Sequence, residues 1–98
     1  MIKFMVEERE DFSVVNFELD GPLSPQDLPE VLREFSKENL KFNKGIVISG
    51  RGPIWLYGTL IHECHPAKWI ACYDPRLVGG VVIESHDPRV KVGEVIKE

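Results

Sequence analysis

Between residues 46 and 73 the chain reads strand, glycine turn, helix, strand, and that order leaves few folds open. Ile46-Val47-Ile48 carries no polar side chain, the pattern of a strand covered on both faces. Gly50-Arg51-Gly52-Pro53 follows, and Pro53 suits the first turn of a helix, where its missing N–H has no partner to lose. The predicted helix runs from Ile54 to about Cys64, stopped by Pro66, which disfavours helical backbone at the residue before it. Trp69–Tyr73 is the next strand, ended by Asp74-Pro75. Such a unit is expected to be a right-handed parallel crossover.

The remaining segments fit around that unit. Ile2–Val6 and Phe12–Leu19 alternate as strands do, with Glu7–Asp11 as the polar turn of a hairpin. A helix is predicted from Pro25 to about Glu38, with Leu28, Val31, Leu32 and Phe35 at helical spacing. The stretch between Tyr73 and Val81 is too short for a parallel crossover, so Val81–Ser85 should return antiparallel. Glu94–Lys97 reads as a last short strand. The expected class is α/β, a minimal Rossmann-like domain with a mixed sheet and two helices. With 98 residues, one core is all that can be filled, so residues 1–98 are expected to form a single domain.

Charge and cysteine usage exclude several partners. The formal net charge of −4 argues against a nonspecific binder of DNA or long RNA, which would present a broad basic face. Residues 1–40 hold ten acids against four bases, and residues 41–98 hold six acids against eight bases. A small anionic ligand therefore belongs to the second half. No apolar run is long enough for a signal peptide or a membrane span, and Cys64 and Cys72 make no disulfide framework. A cytoplasmic protein is the expectation.

Four polar clusters can carry chemistry. Ser49-Gly50-Arg51-Gly52 sits where a buried strand hands over to a helix; glycines allow close backbone approach, and free N–H groups at the helix start favour an anion. The spacing matches neither a Walker loop nor a dinucleotide fingerprint, and a plain tight turn is the competing reading. His62 and His65, three apart, share a helical face if the last turn holds; they can bind a metal or supply an acid and a base, or one of them can cap the helix. A structural zinc site with Cys64, Cys72 or His86 fits no common template. Asp74 and Arg76 either brace their turn as an ion pair or serve a phosphate. His86 ends a strand, and all three histidines of the chain fall within residues 62–86. Trp55, Trp69 and Cys72 read as packing residues.

Strand directions divide these clusters. Ser49–Gly52 and Asp74–Arg76 should lie at one end of the sheet, with His62, His65 and His86 at the other. A helix of this length spans about 16 Å, too far for one compact site within a protomer. The clusters are then either independent or joined by stacking of molecules.

Taken in order, SGRGPIWLYGTLIHECHP, WIACYDPRL and VVIESH resemble the small CRISPR-associated ring nucleases of the Csx-type third family, accessories of type III CRISPR systems. The resemblance implies a homodimer, related to cyclic-oligoadenylate-sensing domains, that sandwiches cyclic tetra-adenylate between stacked dimers. It further implies Mn²⁺-dependent cleavage of that ring, which ends an antiviral signal. Ser49, Gly50, Arg51 and Gly52 match the loop that holds the ring's phosphates. His62, His65, Asp74 and Arg76 match the catalytic positions, and His86 matches a further histidine for ligand or metal. His62, His65 and His86 are the implied metal ligands. Competing readings are a Mn²⁺-dependent exonuclease trimming adenosines from short RNA tails, a nucleotide sensor without turnover, and a structural accessory subunit.

Overall fold

Six strands join into one sheet in the order of the chain, and the computed structural model describes residues 1–97 of it. They are β1 (Ile2–Glu8), β2 (Phe12–Leu19), β3 (Gly45–Ser49), β4 (Trp69–Asp74), β5 (Gly79–Ser85) and β6 (Val95–Ile96). Helix α1 (Leu28–Ser36) joins β2 to β3, and α2 (Ile54–Glu63) joins β3 to β4. β2, β3 and β4 are parallel, while β1, β5 and β6 pair antiparallel with their neighbours. The mixed α/β class, the N-terminal hairpin, the β3–β4 crossover and the antiparallel return of β5 are as expected. Strand order never reverses, so no crevice opens at a topological switch point.

Alternation divides the sheet into two packed faces. Val15 and Phe17 of β2, Ile46 and Ile48 of β3 and Ile70 of β4 meet Val31 and Phe35 of α1 and Leu56 and Leu60 of α2. Both helices thus cover the same face. The other face folds over its own cluster of Val14, Val47, Trp69, Ala71 and Val82, with Phe12, Tyr73, Val90 and Ile96 packed around it. Its curvature is strong: a Cβ on Gly80 of β5 would lie 3.1 Å from Val47, two strands away.

The first predicted helix is divided. Pro25–Asp27 forms a tight 3₁₀ turn in which the Asp27 N–H donates to the Ser24 carbonyl at 2.9 Å, and regular helix begins at Leu28. Pro29 lacks the N–H that would bond back toward Pro25, so α-helical bonding starts later than the apolar spacing suggests. Among the described residues no helix is long and apolar enough to cross a membrane. Both cysteines are free; burial pushes the Cys64 thiol up to about 12 and raises that of Cys72, so neither is a ready nucleophile.

One ion pair ties the N-terminal hairpin to β3. Lys44 Nζ lies 2.7 Å from Glu8 Oε1 and donates to the Arg9 carbonyl, while the buried Ser13 hydroxyl donates to the same carboxylate at 2.9 Å. The Lys44 hydrogen bond first, and that of Ser13 second, hold the Glu8 carboxyl below its ordinary value. A depressed folded pKa gives stability that is present above the unfolded value and lost as pH falls through the folded one. Melting temperature should therefore fall on acidification, and Glu8→Gln should flatten that part of a scanning-calorimetry pH profile. At neutral pH the variant should lose no more than about 8 °C, since a partly exposed pair of this kind contributes about 1 kcal/mol or less.

Candidate functional site

Two polar clusters lie at opposite ends of the sheet. The ten residues of α2 separate them by about 15 Å along its axis.

The first is built where β3 hands over to α2. Gly50 has φ +155°, and a Cβ there would lie 2.6 Å from the Phe17 carbonyl oxygen, so only glycine makes this turn without strain. The Tyr57 hydroxyl donates to the Gly50 carbonyl at 2.7 Å and fixes the loop from below. Pro53 is the N-cap of α2; no side chain caps the helix, and its first turn holds no acid. The Ile54 and Trp55 N–H groups are therefore left for an anion, while that of Leu56 donates to the Pro53 carbonyl at 3.0 Å. Arg51 is exposed and has no hydrogen-bond or ion-pair partner among the described residues.

Asp74 and Arg76 stand at the same end, at the tip of the β4–β5 hairpin. The Arg76 N–H donates to Asp74 Oδ1 at 2.8 Å and its guanidinium to Oδ2 at 3.4 Å, so the pair does brace its turn. These bonds, the backbone one foremost, hold the Asp74 carboxyl below its usual range and keep it ionised. Val78 in the same tip adopts φ +51°, strained for a β-branched side chain. Ile54, Leu77 and Val78 leave an exposed apolar surface at this end.

The second cluster is His65, Glu84 and His86, one ligating atom from each lying within 4.8 Å of the others. His65 Nδ1 is 2.5 Å from Glu84 Oε2, His86 Nε2 is 3.4 Å from the same oxygen, and the imidazole centroids are 5.1 Å apart. A carboxylate accepts only, so His65 carries its proton on Nδ1 and leaves Nε2 as a lone pair. His86 Nδ1 faces the Ala67 carbonyl at 3.2 Å, which also accepts only, so its Nε2 lone pair points at Glu84. Two acceptors facing each other require a proton or a cation between them. A divalent metal that accepts both nitrogen and oxygen ligands fits that donor set of two imidazoles and one carboxylate.

Glu84 reaches this cluster through a β-bulge. Ala71 pairs with Val82 but Ile70 pairs with Glu84, so Ile83 is an extra residue in β5. Without it Glu84 would share the face of Val82; with it Glu84 turns to the helix face, beside the end of α2. Spacing in the sequence could not have found this residue, because simple alternation sends it to the other side. His62 is outside the cluster. α2 ends at Glu63, and His65 falls in the turn forced by Pro66, so the two histidines do not share a helical face. Of the implied trio His62, His65 and His86, the structure brings together His65 and His86, with Glu84 between them and His62 apart.

A recess of about 630 Å³ lies elsewhere, on the concave face over Phe12 and Trp69. Three of its cations are already engaged, Lys44 with Glu8, Arg89 with Asp87 and Lys97 with the Leu77 carbonyl. Trp69 is 4% exposed and is a packing residue, as expected.

The chain is also similar to known proteins. An uncharacterized protein of Aquifex aeolicus (strain VF5) is 51% identical over 88 residues, which are 90% of this chain and 79% of that one. A family model described as CRISPR-associated protein (Cas_csx3) matches residues 16–97, a span that includes both polar clusters. The chain therefore belongs to the Cas_csx3 family of CRISPR-associated proteins.

Proposed function

We propose that this protein is a metal-assisted phosphodiesterase that linearises cyclic tetra-adenylate and so ends a CRISPR-linked signal. The observation that carries the reading is the His65–Glu84–His86 cluster, where a carboxylate and an imidazole lone pair face each other across a position that suits a proton or a metal cation. Membership of a CRISPR-associated family and the uncapped start of α2 beside a free Arg51 support it.

Opening a phosphodiester requires a proton taken from the nucleophile and one given to the departing ribose oxygen. His65 suits the first task, because Glu84 holds its Nδ1–H and leaves Nε2 free. Ser49, Arg51 and the N–H groups of Gly50 and Gly52 would hold the phosphates. Asp74 would orient the attacking water or 2′-hydroxyl, and Arg76 would offset charge on the phosphorus centre. Glu84 and His86 would hold Mn²⁺, which when bound would supply Lewis-acid polarisation of a phosphate oxygen, and His65 Nε2 stays free for the proton. Since the two clusters are about 15 Å apart, a complete site requires one protomer's loop to face another's histidines.

The test is incubation of the full chain with cyclic tetra-adenylate and Mn²⁺, followed by chromatography and mass spectrometry. Linear adenylate is expected, and a ring recovered intact would overturn the reading. The separation of the clusters favours one second reading, a nucleotide sensor that uses the loop end alone. In that case the ring raises the melting temperature without turnover.

A further inference from the structure

Charge assigns a small anionic ligand to residues 41–98, yet several cations of that half are already engaged within the protein. Arg76 is paired with Asp74, Arg89 with Asp87, Lys44 with Glu8, and Lys97 with the Leu77 carbonyl. Lys68 is exposed, and its side chain has no hydrogen-bond or ion-pair partner among the described residues. It stands between two hollows. One is the concave recess over Phe12 and Trp69; the other, of about 320 Å³, has His86 in its wall. Lys68, Asp87 and Arg89 line both, so the hollows meet at this group.

The rim of that junction is held by its own hydrogen bonds. The Ser85 hydroxyl donates to the Val90 carbonyl at 2.7 Å and accepts the Asp87 N–H at 3.1 Å, while the Arg89 N–H donates to Asp87 Oδ1 at 2.9 Å. The Lys68 carbonyl accepts the His86 N–H at 2.7 Å, which fixes the root of the lysine to a histidine of the metal cluster. Asp87 by itself would repel an anion, but the Arg89 guanidinium lies 3.1 Å from its carboxylate and offsets that charge. Arg89 gives Nε and one Nη to Asp87, so its other N–H groups stay available. The ammonium of Lys68 is then the uncompensated charge of the junction.

We propose that this junction is a second nucleotide site, with the phosphate seated on Lys68 and Arg89 and the nucleoside lying in the concave recess against Phe12. A phosphate suits the lysine ammonium and the remaining guanidinium donors through charge-assisted hydrogen bonds. Phe12 is half-buried, and with Val90 and Ile96 it gives the recess an apolar wall on which a base can stack. At about 630 Å³ the recess falls within the range of small-ligand sites, about 300–1,000 Å³. The choice of a nucleotide rests on the phosphodiesterase reading. Lys68 is in that case a positioning residue, holding a phosphate next to the one at the metal. It does so on the same protomer as His65, Glu84 and His86, without the glycine loop at the other end of α2.

The experiment is a ¹⁵N–¹H correlation titration of the metal-free full chain at fixed ionic strength, with AMP, inorganic phosphate and adenosine as separate probes. AMP should shift the amides of Phe12, Lys68, His86 and Arg89. It should bind about 10-fold or more tightly than phosphate or adenosine, since each of those supplies only part of the contact. Lys68→Gln should weaken AMP about 10-fold, and Lys68→Arg should keep most of the affinity. In turnover, Lys68→Gln should raise KM for the ring about 10-fold and leave kcat within about 2-fold. Shifts confined to residues 50–55, equal affinity for AMP and phosphate, or an unchanged Lys68→Gln would each overturn the proposal. The two readings fail separately. A ring left intact by a chain that still binds AMP at Lys68 removes the phosphodiesterase and keeps this site; ring opening with silent amides at Lys68 removes this site alone.

Discussion

Glu84→Gln is expected to slow ring opening by a factor of about 100 or more and to raise the Mn²⁺ concentration needed for half-maximal rate. Glu84 is the one group shared by both imidazoles, at 2.5 Å from His65 and 3.4 Å from His86. Glutamine keeps the shape and leaves the His65 Nδ1–H an acceptor, so the ring orientation survives. It removes the negative charge that favours a bound cation and an imidazolium. The melting temperature should change by less than about 4 °C, because Glu84 is partly exposed and outside the core. His65→Ala should cost at least as much, whereas His62→Ala should cost far less, since the His62 side chain has no partner among the described residues to fix it. The measurements are single-turnover rates across a Mn²⁺ series and Mn²⁺ binding by electron paramagnetic resonance. Unchanged rate and metal dependence in Glu84→Gln would remove this carboxylate from the mechanism.

The fold was legible because its signals are local. Ile46-Val47-Ile48 is buried on both faces, Pro53 stands at the start of α2, and Pro66 sets its end. Strand direction then separated Ser49–Gly52 and Asp74–Arg76 from His65 and His86, as observed. What escaped depended on non-local pairing. Glu84 and Val82 share parity in the sequence, and only the extra residue Ile83 sends them to opposite faces. No periodicity encodes a bulge whose cause is the fit of β5 against β4. The pairing of His62 with His65 failed for a related reason. Three-residue spacing implies a shared face only where the helix continues, and this one stops between them. The first helix likewise began late because Pro29 removed one hydrogen bond, a detail invisible to apolar spacing.

Gly45→Ala is expected to destabilise the protein by about 2–4 kcal/mol and to lower its melting temperature by about 10–20 °C. A Cβ at Gly45 would lie 2.0 Å from the Trp69 ring, well inside contact distance. The ring has little room to retreat: it is 4% exposed and lies against Phe12, with centroids 5.7 Å apart. Moving it displaces the start of β4, where the Lys68 carbonyl accepts the His86 N–H at 2.7 Å. The substitution should therefore also weaken Mn²⁺ binding at a temperature where the variant is still folded. Trp69→Phe vacates volume beside the new methyl, so the double variant should be at least about 1 kcal/mol more stable than the sum of the single effects. Denaturant unfolding of the four proteins closes that cycle. Strict additivity would show that the methyl is accommodated by backbone movement in β3, and that the tryptophan does not define the packing of the concave face.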